Sequence, residues 1–264
     1  MSEENDFRQK CYNEIAKQKR SNSLQSLTRQ WMNESIKTNY SYHFEWLGRP
    51  VIQYPQDIVG TQQLLWTIQP DLIIETGIAR GGSLIFYASV LELIAQCGGP
   101  ANAKVLGIDI DIRQQNREAI LAHPMSKRIE MLQGSSIENK IAEQVKRRAR
   151  IANKVLVCLD SNHTHDHVLE ELRLYAPLVS LDSYIIVFDT VVEDLPTSLI
   201  VDRPWAKGNN PKTAVFEYLK EIDENGILSE DGERLQLEID EHLEAKLLIT
   251  VAPSGFLKRV RKKV

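Results

Sequence analysis

Residues 71–83 read DLIIETGIARGGS, and this stretch decides the fold. An apolar run ends in the acid Glu75. Three glycines follow within six positions, Gly77, Gly81 and Gly82. Because glycine lacks a Cβ, a glycine turn between a strand and a helix lets backbone come close to a ligand or to another segment. The stretch therefore predicts a strand–turn–helix unit, and it leaves open whether the turn serves a ligand or only the chain.

Four further apolar runs follow, and segments with helical periodicity separate them. The runs cover residues 103–110, 127–134, 153–160 and 182–189. Strands that are apolar at nearly every position are buried on both faces, which is typical of parallel sheets covered by helices. Strand–helix units repeated with right-handed crossovers predict an α/β fold with a doubly wound, mostly parallel sheet.

The end of the chain breaks this alternation. Two consecutive apolar runs, at 234–240 and 245–252, are joined by a link too short for a crossover helix, so we predict an antiparallel hairpin. A seven-stranded, mostly parallel sheet with a C-terminal antiparallel hairpin is the Rossmann-like arrangement of class I methyltransferases. A dinucleotide dehydrogenase would more often continue the parallel pattern.

The first 55 residues do not follow the strand–helix pattern. Residues 6–37 are polar and compatible with helix, whereas residues 40–57 carry five aromatic side chains and two prolines without a clear period. We predict that residues 1–55 are an N-terminal helical arm, which packs on the domain or on another subunit, or forms a lid or a wall of the site. Residues 56–264 then form a single cofactor-binding domain.

The composition is that of a soluble globular protein, with 42% hydrophobic and 26% charged residues. A net charge of −4 gives no general attraction for nucleic acid or anionic membranes, and the basic residues 258–263 are predicted to be a solvated tail. No segment has the ~20 apolar residues of a membrane span, and the N-terminus lacks a secretory signal. Cys11, Cys97 and Cys158 have neither disulfide nor zinc spacing, so a cytoplasmic location fits best.

The glycine turn and the next strand predict a cofactor that contains adenosine. The turn lacks the second glycine of the dinucleotide fingerprint, and Glu75 would repel a pyrophosphate. An acid there suits a cation, such as the amino or sulfonium group of S-adenosylmethionine. Asp109, at the end of the second strand, can accept hydrogen bonds from both ribose hydroxyls.

The third strand is followed by GSSIEN, whose serines can bind the adenine edge. The alternative is that these serines and Glu138 cap the next helix. The residues predicted to contact the cofactor are Glu75, Gly77, Arg80, Gly81, Ser83, Asp109, Ser135 and Ser136.

Carboxylates end the fourth and fifth predicted strands, at Asp160 and Asp189. Neighbouring parallel strands lie ~4.8 Å apart, so the two carboxylates can converge beside the cofactor and hold a hard cation such as Mg²⁺. The alternative is that both acids cap helices or bind loop amides.

Half of the six histidines lie between positions 163 and 167. A non-haem iron site is an alternative, although this spacing gives no well-supported ligand arrangement on such a fold. His163 is better placed as a general base, because imidazole can accept a proton near neutral pH. We expect His165 to assist or only to make hydrogen bonds, and His167 to have a structural role in the first turn of a helix.

Together these motifs resemble the family named for cephalosporin hydroxylase, which includes rhamnosyl O-methyltransferases. The resemblance runs from about residue 46 to residue 258. It rests on WLGRPVIQYPQD, IIETGIARGGS, VLGIDIDIR, LVCLDSNHTHDHVLEEL, IIVFDTVVED and TVAPSGFLKR, in this order. The resemblance implies a class I fold that binds S-adenosylmethionine, a Mg²⁺ site and a homo-oligomer.

By position, the resemblance implies metal ligands at Asp160 and Asp189 and a base at His163. One departure concerns the metal, because relatives often have Glu-Asp where this chain has Phe188 and Asp189. Thr190, Glu193 or water must then complete the ligand shell. The Asp-Thr pair is similar to the Asp-Asn pair of catechol-type O-methyltransferases, which keeps a metal in the prediction.

The predicted function is methyl transfer from S-adenosylmethionine to a hydroxyl of a sugar or glycoconjugate, assisted by Mg²⁺ and by His163. The alternatives are an NAD-linked oxidoreductase and a partner protein that binds the cofactor without catalysis. Residues 203–213 form a loop after the fifth strand that either closes over the acceptor or only precedes a helix at Pro211. In the first case Trp205 stacks on a sugar, and Arg203 and Lys207 bind a phosphate or carboxylate.

Overall fold

Seven strands form one sheet in the computed structural model of the protein, which describes residues 3–261. In chain order the strands are β1 (Phe44–Trp46), β2 (Arg49–Val51), β3 (Leu72–Thr76), β4 (Lys104–Asp109), β5 (Ile129–Gln133), β6 (Val155–Leu159), β7 (Tyr184–Val187), β8 (Leu237–Ile239) and β9 (Phe256–Arg259). β1 and β2 pair with each other, and the sheet has the order β5-β4-β3-β6-β7-β9-β8. β3 to β7 run parallel, while β8 and β9 are antiparallel to their neighbours. The predicted sheet is confirmed.

Helices cover both faces of this sheet. They are α1 (Glu3–Arg20), α2 (Asn22–Lys37), α3 (Pro55–Ile68), α4 (Gly82–Gln96), α5 (Gln114–Ala122), α6 (Asn139–Ala149), α7 (His165–Tyr175), α8 (Pro211–Asn225) and α9 (Glu241–Leu247). One core includes Leu65 and lies under α3, α4 and α5; the other includes Val145 and lies under α6, α7 and α8. In β3, Ile73 belongs to the first core and Ile74 to the second, so the strand is buried throughout. The doubly wound arrangement is confirmed.

The C-terminal antiparallel pair exists, but the prediction of its second strand at 245–252 is wrong. The apolar run there begins inside α9, whose N-terminus is capped by Asp240 through a 2.9 Å hydrogen bond from the Leu243 amide. The second strand is instead Phe256–Arg259, which pairs with both β7 and β8. A cap residue followed by good helix formers therefore outweighs the apolar run.

The basic stretch predicted at 258–263 to be a solvated tail begins inside a strand, at Lys258 and Arg259. Lys258 and Arg259 belong to β9, and Arg259 is only 3% exposed. It donates to both carboxylate oxygens of Asp231, at 2.8 and 2.7 Å, and to the carbonyl of Val179. Residues 262 and 263 lie outside the described part of the chain.

The N-terminal segment contains the predicted helices, α1 and α2, followed by the β1–β2 hairpin. α1 lies on α9, where the rings of Tyr12 and His242 stack 4.5 Å apart. β2 crosses the beginning of α4 so closely that a Cβ at Gly82 would overlap the carbonyl oxygen of Pro50. Within residues 3–261, none of the helices combines the length and hydrophobicity that a bilayer crossing requires.

A buried acid, Asp57, joins the first turn of α3 to the loop that leads into β9. Its carboxylate accepts hydrogen bonds from the Thr250 hydroxyl at 2.5 Å and from the Val251 amide at 3.0 Å. Burial raises the pKa of Asp57 to about 7, although these hydrogen bonds favour the charged form and partly oppose the shift. The ionised carboxylate of Asp57 is therefore less stable in the folded protein than it is in water.

The substitution Asp57→Asn should change how stability depends on pH. Between about pH 4 and pH 7 the unfolded chain ionises at Asp57 and the folded chain does not, so the wild type loses stability as pH rises. Relative to Asp57→Asn, this loss should reach ~4 kcal/mol at most and stay constant above pH 7. Urea denaturation at several pH values measures it.

The exposed acid Asp6 offers a matched control, because Asp6→Asn should show no such trend. A stability difference between wild type and Asp57→Asn that does not vary with pH would contradict the assignment.

Candidate active site

The glycine turn after β3 lies against backbone from a neighbouring strand. Gly77 has a φ of 89°, and a Cβ there would overlap the carbonyl oxygen of Asp160. Gly81, with a φ of 82°, is the N-cap of α4. Arg80 is exposed, and its carbonyl accepts a hydrogen bond from the side chain of Arg49. Glycine is therefore required at position 77 by both its backbone angle and its surroundings.

Glu75 lies beneath this turn and is completely buried. One carboxylate oxygen accepts a 2.9 Å hydrogen bond from the hydroxyl of Ser83. Burial raises the pKa of Glu75 to about 8, while the hydroxyls of Ser83 and Tyr87 partly oppose the shift. Tyr87 is near enough to favour the charged form but makes no hydrogen bond of normal geometry to the second oxygen. A cation close to Glu75 would stabilise its ionised form.

Asp109, at the end of β4, organises the turn from the other side. One of its oxygens accepts hydrogen bonds from the amides of Ile78 and Ala79, at 2.8 and 3.3 Å. The second oxygen accepts one from the Asp111 amide at 3.0 Å. A carboxylate has about four acceptor positions, so Asp109 keeps capacity for a ligand. The sequence did not reveal that Asp109 also holds the turn.

A cavity of about 240 Å³ opens beside Asp109, and both predicted serines, Ser135 and Ser136, line it. The alternative interpretation of the serines as helix caps is wrong. α6 begins at Asn139, and its N-cap, Glu138, makes no side-chain capping bond. The Ser136 hydroxyl instead lies 3.1 Å from Nε2 of His167.

His167 connects the loops that follow β5 and β6. It lies in the first turn of α7, as predicted, and its Nε2 is also 3.2 Å from the Ser161 hydroxyl. That hydroxyl donates a 2.7 Å hydrogen bond to Glu171, which is fully buried. The sequence pattern predicts neither Ser161 nor Glu171 as a site residue, because a single acid in an amphipathic helix gives no sign that it is buried.

Asp160, His163 and Asp189 form a compact cluster at the ends of β6 and β7. One ligand atom from each lies within 4.8 Å of the others, and Nε2 of His163 is 3.2 Å from a carboxylate oxygen of Asp189. Burial, together with the carboxylates of Asp189 and Glu75, raises the pKa of Asp160 well above its ordinary value. The cluster therefore gains stability from a cation or from a proton.

Two of the other predicted ligands face elsewhere. The hydroxyl of Thr190 is buried and donates to the Pro253 carbonyl at 2.7 Å, so its predicted role in completing a metal shell is not supported. Glu193 accepts hydrogen bonds from Gly208 and Asn210 and orders the loop before α8. Both positions were predicted from their closeness to Asp189 in sequence, which does not fix side-chain direction.

His165 also points away from the cluster. Its Nδ1 lies 2.8 Å from the hydroxyl of Thr213, and its Nε2 lies 3.2 Å from a carboxylate oxygen of Glu217. Both partners are on α8. Of the two roles considered for His165, the structure therefore favours hydrogen bonding.

The loop before α8 packs on the cluster through Trp205. The rings of Trp205 and His163 meet edge to face with centroids 4.8 Å apart, and the guanidinium of Arg203 lies 5.5 Å from the centre of the Trp205 ring. α8 begins at Pro211, as one interpretation of the loop predicted, with Asn210 forming a capping box. Stacking of Trp205 on a ligand stays a prediction.

A second cavity, of about 260 Å³, lies over the cluster and shares Gly77 and Asp160 with the first. Ser83, His163 and Asp189 line it on the side of the sheet. The N-terminal segment supplies the opposite wall through Ser41, Tyr42, Pro50, Ile52 and Gln53. The sequence pattern predicts such a wall only in general terms and identifies none of these residues.

Comparison with known proteins connects this site to a family. The family model described as Rhamnosyl O-methyltransferase/CmcI matches residues 38–260. Rhamnosyl O-methyltransferase of Mycobacterium tuberculosis H37Rv is 31% identical over 209 residues, which are 77% of this chain and 73% of the relative. The protein of that name from Mycobacterium leprae is 29% identical over 215 residues, 81% and 82% of the two chains.

Solved structures with a similar fold include CmcI with Mg-SAM. The similarity has a TM-score of 0.54 at 18% identity and covers 83% of this chain and 77% of CmcI. Another structure of CmcI, without ligand, gives a TM-score of 0.52. At this identity the likeness concerns the fold.

Substitution of Gly77 by alanine should lower the free energy of unfolding more than the same substitution at Gly98. Both glycines have φ near 90°, but the space around Gly98 is open. Gly98→Ala should lower the free energy of unfolding by ~1–2 kcal/mol through its backbone angle alone. Gly77→Ala should lower the free energy of unfolding by a further ~1–3 kcal/mol, because its Cβ would overlap the Asp160 carbonyl.

Urea denaturation of both variants measures this difference. Equal losses in the two variants would contradict the proposed contact between the turn and the loop after β6.

Proposed function

The chain belongs to the Rhamnosyl O-methyltransferase/CmcI family, and from that premise we propose that it transfers a methyl group from S-adenosylmethionine to a hydroxyl of a sugar or glycoconjugate. The observation that supports this proposal most strongly is the position of the acidic cluster. Asp160, His163 and Asp189 lie on the wall of a cavity that also borders the glycine turn. A donor held at the turn and a hydroxyl held at the cluster would therefore meet in one space.

The donor would occupy the space between the glycine turn and the end of β4. S-adenosylmethionine would supply the methyl group. Asp109 would accept hydrogen bonds from the ribose, and Ser135 and Ser136 would border the adenine in the smaller cavity. Glu75 would stabilise the positive charge of the donor, because its buried carboxylate has no cationic partner of its own among the described contacts.

The cluster fits Mg²⁺ by the chemistry of its ligand atoms. Two carboxylates converge, and the pKa of Asp160 is raised by burial and by its acidic neighbours, as expected for a group that gains from a nearby cation. Asp160 and Asp189 would hold the ion. Water would take the place of the glutamate carboxylate that relatives often have where this chain has Phe188. Bound Mg²⁺ would supply Lewis-acid polarisation of the acceptor hydroxyl.

His163 would remove the proton from the acceptor hydroxyl. Its contact with Asp189 and the edge of Trp205 fix the orientation of the imidazole ring. Such a base contributes ~10²–10⁴-fold to the rate, and orientation of the reactants up to ~7–11 kcal/mol. His163 is also near enough to act as a ligand, but Mg²⁺ prefers oxygen, so we assign it as the base.

The remaining parts of the proposal concern organisation. We assign residues 56–264 to the cofactor-binding domain and residues 1–55 to an arm whose hairpin and following segment form a wall of the site. A homo-oligomer and a cytoplasmic location complete the proposal, and both rest on the sequence alone.

Transfer of tritiated methyl from S-adenosylmethionine to candidate glycans, with and without a chelator, tests the function. We expect incorporation that the chelator abolishes and Mg²⁺ restores. Turnover of NAD with no methyl transfer would favour the oxidoreductase alternative. Binding of S-adenosylhomocysteine without transfer to any glycan would favour a cofactor-binding partner protein.

The substitution His163→Ala should slow turnover by ~10²–10⁴-fold while leaving the affinity for S-adenosylhomocysteine unchanged. It should also leave the affinity for Mg²⁺ within about twofold, since the base would not be a ligand. Steady-state kinetics and calorimetry provide the two measurements.

His165 is the matched control, because it is held by Thr213 and Glu217 on α8. His165→Ala should retain most of the activity. A loss of Mg²⁺ affinity in His163→Ala would instead identify His163 as a ligand, and unchanged turnover would exclude it as the base.

A further inference from the structure

Gln53 is a buried amide that has no partner in the described part of the chain. It lies in the short segment between β2 and α3 and is only 2% exposed. Neither Nε2 nor Oε1 of its side chain makes a hydrogen bond within residues 3–261. Buried polar groups in folded proteins are nearly always paired, so an amide with both ends unpaired indicates that a ligand or water completes it.

Gln53 lines the 260 Å³ cavity together with the glycine turn and the beginning of α4. The adjacent β2 backbone lies directly on Gly82, which places this segment over the first turn of the helix. Among the residues that the structure describes, no side chain caps that turn, because its N-cap is Gly81. The N-terminus of a helix attracts an anionic group such as a carboxylate.

An acceptor for a positive charge lies on the same side of the cavity. Ser83 belongs to the cavity wall, and its hydroxyl donates to Glu75 directly behind it. The second oxygen of Glu75 has no hydrogen bond of normal geometry. This end of the cavity thus offers a site for a carboxylate next to a site for an ammonium group.

We propose that Gln53 binds the amino-acid end of the methyl donor, an inference that rests on the proposed function. Its Nε2 donates to the α-carboxylate at the beginning of α4, and its Oε1 accepts from the α-ammonium group. A primary amide presents one donor and one acceptor side by side, which matches this zwitterion. Gln53 is then the residue through which the segment before α3 recognises the donor.

The test compares two ligands that differ only at that end of the molecule. S-adenosylhomocysteine carries the amino acid, whereas 5′-methylthioadenosine lacks it. In Gln53→Met, which keeps the side-chain length, calorimetry should show the Kd for S-adenosylhomocysteine raised roughly 10–100-fold, as expected for lost hydrogen bonds to charged groups. The Kd for methylthioadenosine should change less than about twofold.

Gln56 provides the matched control, because its Oε1 is also buried and unpaired but the residue does not line the cavity. Gln56→Met should leave both Kd values unchanged. Gln53→Glu, which keeps the shape of the side chain but replaces the Nε2 donor with a second acceptor oxygen, serves if the methionine variant does not fold. The negative charge of the glutamate should raise the Kd for S-adenosylhomocysteine at least as much as Gln53→Met does.

The outcomes separate this inference from the function on which it rests. Absence of saturable S-adenosylhomocysteine binding by the wild type would overturn both. Normal binding by the wild type and equally tight binding by Gln53→Met would overturn the inference alone. An equal rise in the Kd values of S-adenosylhomocysteine and methylthioadenosine would also overturn it. So would a raised KM for the acceptor with an unchanged Kd for S-adenosylhomocysteine.

Discussion

The site depends on the crowding of several carboxylates that are wholly or partly buried. β3, β6 and β7 are adjacent and parallel, so Glu75, Asp160 and Asp189 are brought to the same edge of the sheet. Burial raises the pKa values of Glu75 and Asp160, and repulsion from a nearby carboxylate, Asp109 for Glu75 and Asp189 for Asp160, raises them further. Protons or cations must balance this charge. A donor with positive groups and a divalent ion would both supply what the folded chain lacks.

Close backbone contacts keep these acids in place. The turn after β3 touches the Asp160 carbonyl at Gly77, and the beginning of α4 touches Pro50 at Gly82. Asp109 fixes the same turn through the amides of Ile78 and Ala79. The glycines thus serve the chain first, by letting three segments meet, and the space left between these segments is the one in which we propose that the donor binds.

The hydrophobic pattern of the sequence predicted the parallel strands and the position of the acids that follow them. Five largely apolar runs predicted the parallel strands, and the acids that end β6 and β7 lie together because parallel strands finish at one edge. The prediction of a strand at 245–252 is wrong, because an apolar segment of that length fits either a strand or a helix. The N-cap at Asp240 favours the helix. Thr190 was chosen for its position next to Asp189, while its side chain turns to Pro253. Gln53 and Glu171 could not be found from sequence, since their burial depends on contacts with distant segments.

Calorimetric titration with S-adenosylhomocysteine at pH 7, in Mg²⁺-containing buffers of different ionisation enthalpy, tests the central claim most directly. Since burial raises the pKa of Glu75 to about 8, this carboxyl is mostly protonated at pH 7 before binding. The account predicts saturable binding of one ligand per chain, with a net release of protons that Glu75→Gln no longer shows. Absence of saturable heat, or a binding heat that is the same in every buffer, would contradict it.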